Sequence, residues 1–300
     1  MYRTALELIE CGYEISLIIT SKESPEYNIT AFDFEALASK INAVFLNTAK
    51  INSENVHKTI KSIGEIDIAV SINYSGVISQ NIIDYFKLGI LNAHGGDLPR
   101  YRGNACQAWA LINKESRIGL CVHKMIGGEL DSGDIINRDY FEIDINTRIG
   151  EIYEWMSETI PKLVIGSLKK LELNENYILE RQSLNIGESL RCYPRIPEDG
   201  KIFWDRNSED ILRLINASSE PFGGAYCDYN GSKLIVWRAE IYNDDEVYLA
   251  VPGQISSIND DGSLILITGN GKLKITEVEI NGVRTMNINE LVKSIRVRFR

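Results

Sequence analysis

Asn92, His94 and Asp131 are the residues whose types and spacing could carry a base-assisted nucleophilic reaction. Gly89-Ile90-Leu91 reads as the end of a buried strand, and in a two-residue alternation Asn92 and His94 point to the same face. An amide and an imidazole then stand side by side at the carboxyl edge, where open α/β sheets hold their ligands. Gly95-Gly96, Leu98-Pro99 and Gly103 follow, punctuation for a shaped loop that can lie close against a ligand. Residues 118–123 read as the next buried strand. Beyond it Gly127-Gly128 and Ser132-Gly133 bracket Glu129, Leu130 and Asp131 in a second loop, where a carboxylate could orient and charge-stabilise His94. Each residue alone has a blander explanation, His94 as a satisfied structural histidine and Asp131 as a turn former. Their joint occurrence in this order favours a site.

Asn92-x-His94, Leu98-Pro-x-Tyr-Arg-Gly103 and Leu130-Asp131-x-Gly133-Asp134 resemble the signature of the folate-dependent formyltransferases, those with the methionyl-tRNA formyltransferase fold. The similarity continues through Tyr193-Pro-Arg195, Asp199-Gly-Lys-Ile-x-Trp204 and Pro221-x-Gly-Gly-Ala225, so it covers nearly the whole chain. By that resemblance Asn92, His94 and Asp131 form the catalytic triad. The loop Asn73-Tyr74-Ser75-Gly76, with Gly127, Gly128, Glu129 and Leu130, would hold the pterin of 10-formyltetrahydrofolate. Ordinary turn chemistry explains Asn73 and Gly76 equally well. Asp97, Tyr101, Arg102 and Asn104 fall where the second substrate would bind.

The elements that must position these residues follow a βα alternation: helices over 3–10, 32–40 and 53–63, strands over 14–20, 43–46 and 66–72. The pattern predicts a doubly wound, Rossmann-like, mostly parallel sheet. The resemblance implies a first strand and a glycine-bearing turn ahead of residues 3–10, whereas the sequence opens on the helix. The expected sheet therefore lacks its central strand, which bares the flanks of two neighbours and removes one wall of the cofactor cleft. Further on, 107–114 reads as a helix with Trp109 in the core, 135–143 as a strand, and 148–173 as a helix interrupted or kinked at Pro161. After a polar connection at 174–190, a helix at 208–217 is expected to be capped by Ser208. Turn signals at Asn230-Gly231, Asp261-Gly262 and Gly269-Asn270-Gly271 then separate short runs at 225–228, 234–237, 264–267 and 273–278. Those runs suggest a small antiparallel OB-like barrel. The expected domains are a catalytic domain over 1–189 and a C-terminal domain with its linker helix over 190–300.

With 300 residues, 44% hydrophobic and 25% charged, the composition is that of an ordinary globular protein able to bury a large core. No apolar run is long enough to span a membrane and the N-terminus shows no signal-peptide pattern, so a cytoplasmic setting is expected. Cys11, Cys106, Cys121, Cys192 and Cys227 are scattered and odd in number, with no C-x-x-C spacing, so neither a disulfide framework nor a zinc site is indicated. Cys121 reads as core. Cys106 lies near the signature loop, but no base adjacent to it supports a nucleophilic role.

The resemblance implies formyl transfer from 10-formyltetrahydrofolate to an amine, without a metal. Asn92 and His94 would stabilise the oxyanion, His94 would shuttle the proton, and Asp131 would fix the His94 tautomer and favour its protonated form. Within the family the acceptor is methionyl-tRNA or the amine of a nucleotide-linked amino sugar. The net charge is −10, and from Leu190 onward 14 Lys and Arg stand against 16 Asp and Glu, a net of −2. A nucleic-acid backbone ordinarily calls for positive charge. The basic tail Arg296-x-Arg298-x-Arg300 reads as a solvated edge strand. That balance, the unusual Gly96-Asp97 and the presence of Asn104 point to a UDP- or dTDP-amino-sugar N-formyltransferase serving bacterial surface polysaccharide. This expectation includes no nucleic acid, no membrane and a possible homodimer. The alternatives are a methionyl-tRNA formyltransferase, a formyltetrahydrofolate hydrolase with water as acceptor, and a non-catalytic folate- or nucleotide-binding chain.

Overall fold

The computed structural model describes residues 1–21, 28–74, 76–183 and 185–300. They divide into two compact units, one of Met1–Cys106, Ile118–Phe141 and Glu154–Cys192, the other of Gln107–Arg117, Glu142–Tyr153 and Tyr193–Arg300. The change near residue 192 lies close to the expected boundary at 189/190, but 107–117 and 142–153 pack with the second unit.

In the first unit, apolar β-branched runs form short parallel strands covered on both faces. Leu17–Thr20 pairs in parallel with Val44–Asn47. Leu17 and Ile19 pack with Val56, Ile60 and Phe86, whereas Ile18 packs with Ala5, Leu37 and Ala38. Alternate side chains of one strand thus enter two separate cores. Ser53 precedes the helix Glu54–Ile63, and the helix Ala31–Lys40 opens on a capping box in which Thr30 donates its N–H to Asp33 Oδ2 at 2.7 Å. A second sheet runs in the order Ala69–Ile72, Ile90–His94, Arg117–Lys124, Ile135–Glu142. Its first pair is parallel and its second antiparallel.

Leu17–Thr20 and Ala69–Ile72 belong to different sheets. Between them lies a cavity of about 710 Å³, lined by the consecutive residues 17–20 of one strand and 68–73 of the other. A pocket on a sheet face would meet alternate residues; one that meets consecutive residues lies along strand edges. The cavity therefore runs along one edge of each strand, and among the described residues no strand pairs with either on that side.

The second unit is built on an antiparallel sheet ordered Ile255–Ile258, Leu264–Ile267, Lys272–Ile280, Ser232–Tyr242, Ala225–Tyr229, with Val283–Thr285 added to Lys272–Ile280. The strands Ile255–Ile258 and Val283–Thr285 were not legible as alternating runs. Against this sheet packs the helix Ser208–Ser218, through Ile211, Leu212 and Ile215.

Two local expectations are corrected. Ile149–Leu173 is one helix of 25 residues that continues through Pro161. The missing N–H removes one intrahelical bond, which the apolar face of Ile160, Leu163 and Val164 outweighs by burial. The cap of Ser208–Ser218 is Asn207, whose side chain accepts the Asp210 N–H at 2.8 Å, and Ser208 is the first helical residue. Asn207→Ala should lower stability by about 1 kcal/mol. Urea denaturation checks this, and an unchanged midpoint would refute the capping role.

Among the described residues no helix is long and apolar enough to cross a membrane.

Candidate active site

Asn92 and His94 lie within the strand Ile90–His94, where the flanking Leu91 and Ala93 are buried. Registry places Asn92 opposite His123 and His94 opposite Cys121 on the antiparallel neighbour. His94 Nε2 is 2.7 Å from the Tyr101 carbonyl oxygen. A carbonyl can only accept, so Nε2 carries the proton and Nδ1 is left with a lone pair when the ring is neutral. Nδ1 faces Asp131 Oδ2 at 3.5 Å. The loop is shaped for the Tyr101 contact, because a Cβ on Gly96 would stand 2.4 Å from Tyr101 O and 2.5 Å from His94 Nε2.

Asp131 takes a left-handed backbone conformation, φ +47°. Its Oδ2 accepts the Gly103 N–H at 2.9 Å, and its Oδ1 lies 3.4 Å from Asn92 Nδ2 and 3.5 Å from His123 Nε2. Burial opposes its ionisation, but the two histidines and the Gly103 N–H hold its carboxyl at about 2. For His94 the balance runs the other way: burial, with His123 beside it, outweighs Asp131 and the Tyr101 carbonyl and draws the imidazole below its ordinary value. Asp131 was expected to set the His94 tautomer and favour the charged ring. The structure gives the tautomer to Tyr101 O and leaves the resting ring neutral, because desolvation outweighs one nearby carboxylate.

His123 is a member of the cluster that sequence reasoning passed over. It is buried, its Nδ1 donates to Lys124 O at 2.9 Å, and its Nε2 faces Asn92 Nδ2 at 3.2 Å as the acceptor. The Asn92 amide group is thereby turned towards His123 and Asp131. The signal was a lone polar residue closing the apolar run Ile118-Gly-Leu-Cys-Val. Cys106 also differs from expectation, since a base is adjacent: its Sγ lies 3.7 Å from His94 Nε2. That nitrogen bears a proton, however, and the thiol sits 3.6 Å from Tyr101 O and 3.5 Å from Gly103 O. A hydrogen bond with Cys192, together with burial, pushes the Cys106 thiol far up, so it is no nucleophile in this state.

The residues expected around the folate follow two strands. Asn73, φ +56°, and Tyr74, whose hydroxyl donates to Thr48 O at 3.3 Å, follow Ala69–Ile72. Ser75 lies outside the described residues. Gly127 donates its N–H to Gln80 Oε1 at 2.9 Å, and a Cβ there would stand 2.2 Å from Gln80 N. Gly128 has φ +79°, Glu129 bonds to Ser132, and Leu130 is exposed.

Of the residues assigned to the second substrate, Asp97 is 3.6 Å from Arg138 and Arg102 donates to Gln182 Oε1 at 2.8 Å and to Ser183 O at 3.3 Å. Tyr101 is buried with the Arg100 guanidinium over its ring. Asn104 is exposed, its N–H donating to Cys192 O at 3.0 Å.

Residues 7–168 match the formyl transferase family and residues 195–296 match the formyl transferase C-terminal domain. The chain is 27% identical over 289 residues to a methionyl-tRNA formyltransferase of Acetivibrio thermocellus, covering 95% of this chain and 90% of that protein. Its fold is similar to that of WlaRD, a sugar 3N-formyl transferase, with a TM-score of 0.64, 18% identity and 94% of each chain covered. It is similar also to HypX from Aquifex aeolicus, solved with tetrahydrofolic acid, with a TM-score of 0.60, 17% identity, and 94% of this chain and 47% of that one covered. An amide, a neutral imidazole and an ionised carboxylate in one buried cluster, on a chain matched by both family domains, identify it as a member of the formyltransferase family and a one-carbon group transferase.

Proposed function

We propose that the chain transfers the formyl group of 10-formyltetrahydrofolate to the amino group of methionyl-tRNA. The chemistry rests on one observation above all, the neutral His94 ring with its Nδ1 lone pair turned to the Asp131 carboxylate. As the amine attacks the formyl carbon, His94 Nδ1 takes the proton the nitrogen sheds. The carboxylate at 3.5 Å then becomes the counter-ion of the imidazolium. Asn92 Nδ2 donates at rest to His123 Nε2 and, over a longer 3.4 Å contact, to Asp131 Oδ1, and the hydrogen on the longer contact is the one that turns to the developing oxyanion. The same His94 proton can return to the departing folate nitrogen.

The acceptor corrects the sugar-nucleotide expectation. Six curated relatives, 24–27% identical across 94–98% of the chain, are named methionyl-tRNA formyltransferase. The sugar enzymes are structural likenesses at 18% identity, which speak for the fold alone. The features that had favoured a sugar have local explanations. Gly96 leaves room for the His94 to Tyr101 bond, and Asp97 pairs with Arg138. Net charge misled because it averages over the surface, whereas a phosphodiester backbone meets only a patch of it. In the tail, Phe299 turns into the core while Lys293, Arg296, Arg298 and Arg300 are exposed, a basic strip on the second unit.

Formyl transfer assayed with charged methionyl-tRNA, with UDP- and dTDP-amino sugars and without acceptor tests the proposal. Turnover with methionyl-tRNA alone is expected; turnover with a sugar, or without acceptor, would overturn it.

Because His94 acts from its neutral form and that form is favoured by burial, the acid limb of kcat should lie below pH 6.5, with no loss from this group between pH 7 and 8. Asp131 raises the His94 value, so Asp131→Asn should move the limb to still lower pH while lowering kcat by about 10²-fold. A limb that moves up in the variant would contradict this assignment.

A further inference from the structure

We propose that Gln182 is a positioning residue for formyl transfer, an assignment that rests on the catalytic reading above. Its amide joins the Asp131 loop to the strand Tyr101–Gly103 and so sets where the Asp131 carboxylate stands against His94.

Gln182 lies on a stretch laid along the start of the strand Ile135–Glu142. Leu179 donates its N–H to Ile135 O at 2.9 Å, and Ile135 returns its own N–H to Glu180 O at 2.9 Å. Two residues on, the Gln182 side chain is buried. Its Nε2 donates to Asp131 O at 2.8 Å and to Gly133 O at 2.7 Å, and its Oε1 accepts from Arg102 Nη2 at 2.8 Å. Carbonyl oxygens only accept and a guanidinium only donates, so these partners allow one orientation of the amide. Both amide hydrogens are thus engaged by a single turn of the Asp131 loop. Arg102 is tied to the same stretch a second time, through Ser183 O at 3.3 Å.

The turn needs such a hold. Asp131 has φ +47°, a left-handed conformation that a non-glycine residue keeps only where its surroundings impose it. Gln182 imposes it from one side. From the other, Gly133 lies so close to the strand Arg117–Lys124 that a Cβ on it would stand 1.9 Å from Lys124 O. The Gly103 N–H holds Asp131 Oδ2 at 2.9 Å, but one bond fixes a distance and leaves the direction of the carboxylate open.

The far end of the amide matters as much. Arg102 stands between Tyr101, whose carbonyl meets His94 Nε2, and Gly103, whose N–H meets Asp131. The strand that orients the ring and the loop that supplies its counter-ion are therefore joined through one side chain. When His94 takes the proton of the attacking amine, the help it receives from Asp131 depends on the 3.5 Å between Nδ1 and Oδ2. Gln182 acts on that separation through the loop.

Two variants of the full chain test this. Gln182→Met keeps the length of the side chain and drops all three bonds. Gln182→Glu keeps the Arg102 bond but sets a carboxylate oxygen against the two loop carbonyls, and it carries the test if the methionine variant does not fold. Both should lower kcat by about 10–10²-fold, with KM for either substrate little changed. In an Asp131→Asn background the same substitutions should cost no further rate, because the carboxylate they displace is already gone. A second readout needs no turnover. The chain has three histidines, and the His94 ring signal, identified by its loss in His94→Gln, can be titrated by NMR. Asp131 raises the His94 value against burial and the neighbouring His123, so a carboxylate that has moved away should let the midpoint fall. A midpoint unchanged or raised, additive losses in the Asp131→Asn background, or full kcat in both variants would each overturn the proposal. The titration still reports on the Asp131 loop in a chain that formylates no tRNA, so failure of the catalytic reading is seen apart from failure of the positioning role.

Discussion

His94→Ala is expected to lower kcat by about 10²–10⁴-fold, the range for a positioned proton-transfer group, with a much smaller change in KM. The ring's Nε2 is committed to Tyr101 O, so the loss is that of one proton-accepting atom, Nδ1, and of the ion pair it makes with Asp131 once charged. The substitution also removes the Nε2 donor from Tyr101 O in a buried setting, where the Cys106 thiol lies 3.6 Å away. A carbonyl left short of donors costs about 1–3 kcal/mol, so some loss of stability accompanies the loss of rate. His94→Gln separates the two, because its amide can still donate to Tyr101 O but cannot take a proton. Single-turnover rates and melting temperatures measured on both variants decide the matter. Recovery of rate by the glutamine variant would remove His94 from the proton path.

Gly96→Ala is the second large effect, although it adds a single methyl group. That methyl would stand 2.4 Å from Tyr101 O and 2.5 Å from His94 Nε2, inside van der Waals contact with both partners of one hydrogen bond. One of the two must move, and His94 is held on a central strand between Ala69–Ile72 and Arg117–Lys124. The Tyr101 loop therefore yields and the His94 to Tyr101 bond is lost. With it goes the constraint that keeps the proton on Nε2. Activity should fall by about 10²-fold, comparable to losing an orienting group, and overpacking should lower stability by about 1–3 kcal/mol. Steady-state kinetics with thermal unfolding measures both, and a variant with unchanged kcat would show that the Tyr101 contact is incidental.

Asn92 and His94 were legible because a two-residue spacing on an apolar strand is a geometric statement that needs no partner. Asp131 was placed by its glycines, and its left-handed backbone explains why the loop is so punctuated. His123 was invisible because its role depends on antiparallel registry with Asn92, a pairing between residues 31 apart. Arg138 could not be linked to Asp97 for the same reason, so a carboxylate tied down inside the fold looked free to greet a substrate. Pro161 misled because a local rule met a helix whose buried face overrules it. Asn207 and Ser208 are both good caps, and only the hydrogen bond to Asp210 chooses between them. The acceptor was misjudged on a sum of charges, a quantity that carries no position.

The slot between Leu17–Thr20 and Ala69–Ile72 bears on how this protein behaves as a material. Two strand edges with unshared N–H and C=O groups are templates for further strand addition, and neither Leu17-Ile18-Ile19-Thr20 nor Ala69-Val70-Ser71-Ile72 carries a charge to discourage it. Proteins usually guard such edges with lysine, proline or a covering loop. Neither strand carries a lysine or a proline, so an extended apolar segment that enters the cavity meets two rows of backbone donors and acceptors.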